Sequence, residues 1–123
     1  MCIRDRNAPV YLRVARTAAD WNESGNVMLV AGATYPEELG RIRSVVGEMP
    51  LLVPGIGAQG GDLAAVLREG ADSRGEGLVI NTSRAVLYAD ADDAASGARA
   101  AADGFRAEIQ RLQAELSPDR AMV

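Results

Sequence analysis

The spacing of apolar residues divides this chain of 123 residues into alternating helical and extended segments. Val10, Val14, Ala18 and Trp21 recur at helical intervals, with Leu12, Ala15 and Ala19 beside them, and predict a helix from residue 9 to near Asn22. The turn cluster NESG at residues 22–25 leads into an apolar run at residues 27–31, which suits a strand buried on both faces. Gly32 and Ala33 close that strand. Thr34, followed by Glu37, makes a capping-box pattern with Pro36 in the first turn, and Leu39, Ile42, Val45 and Val46 then mark one helix face before Gly47 stops it.

The unit then repeats. Residues 51–53 (LLV) read as a strand, a glycine loop follows, Asp62 is placed to cap the next helix, and Leu63, Val66 and Leu67 face inward until Gly70. After a polar loop at residues 71–76, residues 77–80 (GLVI) form a third strand, with NTSR at its carboxyl end (residues 81–84) and AVLY after it. An alanine-rich helix from about residue 92 to 116 aligns Ala98, Ala101, Ala102, Phe105, Ile109, Leu112 and Leu116, and Pro118 ends it. Alternating strands and helices imply right-handed crossovers and a parallel sheet, so the class is α/β. Three strands leave two unpaired edges, which reads as part of something larger. Residues 1–6 (MCIRDR) share no periodicity with the rest; they read as a non-native leader, with residues 7–123 as the fold.

Composition narrows the chemistry. Cys2 is the only cysteine and histidine is absent, so an internal disulfide and the usual zinc and triad constellations are excluded; neither metal nor cofactor is expected. All thirteen basic residues are arginine. With no lysine, the chain has no Schiff-base amine and no ammonium proton donor. The formal charge of −4 and the scattered arginines give no support to a nucleic-acid surface. No apolar run approaches the roughly 20 residues of a membrane helix, and no secretory signal is evident, so the expected compartment is the cytoplasm.

The remaining candidate chemistry lies in the loops. The segment LLVPGIGAQGGD at residues 51–62 passes from strand to helix through Gly55, Gly57, Gly60 and Gly61, where backbone N–H groups can approach an anion and the following helix adds its positive end. Arg84 lies beyond the next strand on the same side of a parallel sheet, where a guanidinium can grip a phosphate bidentately. Each feature alone also has an ordinary reading, a tight turn for the loop and a solvated surface residue for Arg84. The segment GIGAQG additionally satisfies the dinucleotide fingerprint G-x-G-x-x-G, and Arg84 in place of an acidic residue would suit a 2′-phosphate, which keeps an NADP-binding Rossmann-type domain as an alternative. Against that, a complete strand–helix unit precedes the fingerprint. In a (β/α)8 barrel the common phosphate site is built from the loops after the last two strands, and only one long helix follows here.

Four segments carry a resemblance to a known family: VAGATYPEEL at residues 30–39, LVPGIGAQGGD at 52–62, GLVINTSR at 77–84 and AVLYA at 85–89. Over residues 9–116 the chain resembles the C-terminal part of orotidine 5′-phosphate decarboxylase, in its longer bacterial branch. The resemblance implies the last three strand–helix units of a TIM (β/α)8 barrel, a homodimer, and cofactor-free conversion of orotidine 5′-monophosphate to UMP and CO2 in pyrimidine biosynthesis. It further implies that Gln59 and the backbone of Gly57, Ala58 and Gly60 hold the substrate phosphate, that Arg84 clamps it, and that Thr34 lies toward the pyrimidine. The family's chemistry belongs to an Asp/Lys network on earlier strands, so no catalytic residue is expected in this chain and the chain alone is expected to be inactive. Another phosphate-binding barrel enzyme using the same loops remains an alternative.

Overall fold

A computed structural model describes residues 8–57, 61–90 and 92–116. The proposed leader, and Ala58, Gln59 and Gly60 of the glycine loop, lie outside the described residues. Helix α1 (Val10–Trp21), strand β1 (Leu29–Val30), helix α2 (Pro36–Val46), strand β2 (Leu51–Pro54), helix α3 (Leu63–Gly70), strand β3 (Leu78–Asn81), the short helix α4 (Arg84–Leu87) and the long helix α5 (Ala94–Leu116) follow in order. The three strands form one parallel sheet in the order β1-β2-β3, with Leu29 opposite Leu51 and Pro54 opposite Asn81.

Strand β1 is shorter than the apolar run 27–31. The reason is local: the Val27 N–H is held at 2.8 Å by the Asn22 Oδ1, so the start of the run belongs to the turn after α1. Beyond it, Ala31 and Ala33 N–H groups still donate to Leu52 and Pro54 carbonyls at 2.9 and 3.0 Å, extending the ladder to the carboxyl end. Pro54 has no N–H to give, and it sits at the last residue of β2, where the ladder stops.

The core lies on one side of the sheet. Leu51 and Val53 are fully buried and pack with Leu39 and Val46 of α2, Val66 of α3 and Ala15 of α1. The other face is open: Val30 is 68% exposed and Val79 47%. The expectation of burial on both faces therefore fails, because among the described residues the helical layer covers only one face.

Helix α1 corrects a second expectation. Val10, Val14 and Trp21 are exposed, whereas Ala15 and Ala18 are buried. Two stripes share this helix, and close packing on α2 selects the small residues for the inner one, since alanines let helix backbones approach. Helix α2 corrects a third. Its N-cap is Tyr35, with no side-chain cap bond, so Thr34 does not close a capping box. The cap at Asp62 holds as expected: its carboxylate accepts the Ala65 N–H at 3.1 Å. On α5, Phe105 and Ile109 are half-buried and Leu112 buried, while Ala102 and Leu116 are exposed.

One residue on α2 ties the amino ends of the strands together. Arg43 is 9% exposed; its Nε donates to Gly70 O at 2.7 Å, Nη1 to Gly47 O and Met49 O at 2.6 and 2.7 Å, and Nη2 to Gly77 O at 3.1 Å. Burial pushes its pKa down, and nearby Asp72 opposes that shift. Burial alone would raise the Asp72 carboxyl, but the Glu76 N–H, the Arg74 guanidinium at 3.1 Å and the Arg74 N–H outweigh it and hold the carboxyl below its ordinary value. This pair is structural and sits at the end of the sheet opposite the loops considered next.

Candidate functional site

Parallel pairing sends β2 and β3 in the same direction, so the loops after them emerge side by side. Pro54, Gly55 and Ile56 from one and Asn81, Thr82, Ser83 and Arg84 from the other line a single cavity of about 170 Å3. Its walls are mostly polar. Among the described residues no hydrogen bond or ion pair occupies the side chains of Asn81, Thr82, Ser83 or Arg84, and Ser83 precedes α4 without capping it. A guanidinium, two hydroxyls and an amide are thus left for solvent or a bound group.

The two described ends of the glycine loop are tied together by backbone contacts. Ile56 and Gly61 form an isolated parallel bridge, and the Gly61 N–H donates to Gly55 O at 3.3 Å. A Cβ on Gly61 would lie 2.7 Å from Gly55 O and 2.8 Å from the Ala33 Cβ, closer than real side chains come. Gly57 has φ of +89°, in the left-handed region, and a Cβ there would stand 3.3 Å from the Ala85 Cβ and 3.5 Å from both the Phe105 Cζ and the Thr82 Oγ1. Gly61 thus sits against Ala33 in the segment after β1, and Gly57 against Thr82, α4 and α5.

The positive end of α3 contributes less than its position suggested. The Asp62 carboxylate already occupies the Ala65 N–H there, leaving Arg84 as the cation lining the cavity. Of the sequence candidates, Gly57 and Arg84 are brought to the same loop pair, while Thr34 is exposed and lines a separate cavity of about 500 Å3 with Tyr35, Pro36, Glu37, Glu38 and Arg41. Thr82 and Ser83, which are not among the sequence candidates, also line this cavity, and their place between a strand and Arg84 is a readable signal.

The strand order bears on the Rossmann alternative. That fold binds its dinucleotide where the order reverses, but here it runs β1-β2-β3 without reversal at the glycine loop. Parallel strands in sequential order, helices on one face and a polar cavity at the carboxyl ends define part of a (β/α)8 barrel.

The chain matches no family model. It is 57% identical over 104 residues to the orotidine 5′-phosphate decarboxylase of Aromatoleum aromaticum, covering 83% of this chain and 38% of that protein. With the enzyme of the same name from Ralstonia pickettii the identity is 51% over 107 residues, covering 85% of this chain and 40% of the relative. Among solved structures, that of Leishmania donovani OMP decarboxylase superposes with a TM-score of 0.78 at 41% identity, covering 91% of this chain and 42% of that one. The chain is related to the orotidine 5′-phosphate decarboxylases, matches a portion of the full-length enzyme, and spans about two fifths of the length of these relatives.

Proposed function

We propose that this chain carries the phosphate-binding part of an orotidine 5′-phosphate decarboxylase, corresponding to the last three strands of its barrel. The carrying observation is the convergence of the Gly55–Ile56 turn and the 81–84 segment on one polar cavity whose cation, Arg84, has no partner among the described residues. In this reading Arg84 clamps the phosphate of orotidine 5′-monophosphate, the backbone of Gly57, Ala58 and Gly60 and the Gln59 side chain complete the cradle, and Thr34 lies toward the pyrimidine. A phosphate is remote from the bond that breaks. Its binding energy positions the reacting ring and closes loops over it, which raises the rate without any covalent role for these residues.

The chain has no lysine and therefore no ammonium group to protonate a carbanion left by departing CO2. It binds, in this reading, without decarboxylating, and the reacting residues belong to the remainder of the barrel, which as a whole pairs into a homodimer. The relatives' shared name favours this over another phosphate-binding barrel enzyme. Two measurements test it. Incubation of the chain with orotidine 5′-monophosphate is expected to give no UMP, and UMP formation would refute the division of labour. Arg84→Ala is expected to weaken UMP binding about 10- to 100-fold, the worth of a charge-assisted contact; unchanged affinity would remove the clamp.

A further inference from the structure

We propose that Thr82 is a further phosphate ligand: its hydroxyl, beside Gly57 of the glycine loop, donates to the same anion that Arg84 clamps. This rests on the phosphate-binding reading above and adds a residue to it. Thr82 lines the 170 Å3 polar cavity together with Arg84, and its Oγ1 stands 3.5 Å from the position of a Cβ on Gly57. It therefore belongs to the segment after β3 and stands close to the loop after β2.

No internal role accounts for the hydroxyl. Among the described residues it makes no hydrogen bond, and Ser83, not Thr82, occupies the position before α4. Ser83 is exposed, whereas Thr82 is half-buried. Thr82 also borders the apolar groove formed by Val79, Ile80, Val86, Phe105 and Ile109. A threonine suits that boundary, since its methyl tolerates the groove while its hydroxyl serves the polar side. An O–H donor and a guanidinium line a cavity that holds no carboxylate among the described residues, which favours an anion.

The test uses the full chain and inorganic phosphate as probe, with binding followed by calorimetry and by the Gly57 and Arg84 amide resonances. Thr82→Val keeps the shape and removes the donor; it is expected to weaken phosphate binding about tenfold with the melting temperature unchanged. Thr82→Ser is expected to restore affinity to within about threefold of the wild type, since it restores the donor. Equal binding by wild type and Thr82→Val would overturn the proposal, as would equal loss in Thr82→Ser and Thr82→Val, which would assign the effect to methyl packing. A folded wild type that binds no phosphate would refute the phosphate-binding reading itself, and the role of Thr82 with it, a result distinct from either of those.

Discussion

Replacing Arg43 by methionine removes the one side chain that joins four backbone carbonyls from three segments. Gly47 O and Met49 O flank the turn before β2, Gly70 O ends α3, and Gly77 O precedes β3. Methionine fills a similar volume and keeps the helix, so the loss isolates the guanidinium. A hydrogen bond to a charged group contributes about 1.5–3 kcal/mol, but four bonds from one group do not add. Two of the four acceptors are in buried bonds and would stand unsatisfied, while the part-buried Gly47 O regains water and Gly77 O keeps the Leu51 N–H at 2.9 Å. Asp72 would also lose one cationic neighbour, keeping Arg74 at 3.1 Å. Breaking such a buried arrangement from one side costs about 3–5 kcal/mol, a large fraction of the roughly 5–15 kcal/mol that stabilises a typical domain. Urea unfolding followed by far-ultraviolet circular dichroism measures it. The expected result is a midpoint shift corresponding to about 3–5 kcal/mol at constant slope, with Arg43→Lys intermediate because a single ammonium cannot span four acceptors. A loss below about 1 kcal/mol would refute the claim that Arg43 holds the amino ends of the strands.

Other consequences follow from single contacts. Asp62→Ala removes the α3 cap and is expected to cost about 1 kcal/mol in stability, yet it also removes a negative charge from the loop, so phosphate affinity should not fall; a decline in calorimetric affinity would contradict the assignment of Asp62 to the helix. Gly61→Ala forces a Cβ against Gly55 O and Ala33 and is expected to lower stability by about 1–3 kcal/mol, read from the melting temperature. Asp72 has a depressed pKa in the folded state, so its contribution is complete above its unfolded value of about 3.9 and disappears as pH falls through the lower folded value. Wild type and Asp72→Asn should accordingly differ in stability at neutral pH and converge in acid, and a gap that persists at low pH would exclude this linkage.

What the sequence disclosed depended on whether the signal was local. Gly47 and the Asp62 cap set the ends of α2 and α3 through their own backbone chemistry, and the structure keeps both. The 81–84 segment was placed beside the glycine loop by topology alone, since parallel strands deliver consecutive loops to one end of the sheet. Which stripe of α1 turns inward was not local. Val10, Val14 and Trp21 are as regularly spaced as Ala15 and Ala18, and only packing against α2 separates them. The open face of the sheet was hidden for the same reason: an apolar strand reads alike whether or not a second layer covers it. Arg43 falls on the stripe of Leu39 and Val46, and an arginine at core spacing is a sign of a buried guanidinium in search of carbonyls. Asp72 lies in a polar, glycine-containing loop, and no pattern in that loop marks a carboxylate closed on its own backbone.

The central claim is that the loops after β2 and β3 form one phosphate site, and an isotope-labelled titration of the chain with UMP and with uridine addresses it most directly. UMP is expected to shift the amide resonances of Gly55, Ile56, Gly57, Thr82, Ser83 and Arg84 together along one binding curve, while uridine, which lacks the phosphate, leaves them in place. Equal shifts from uridine, or shifts confined to the separate cavity beside Thr34, would contradict it.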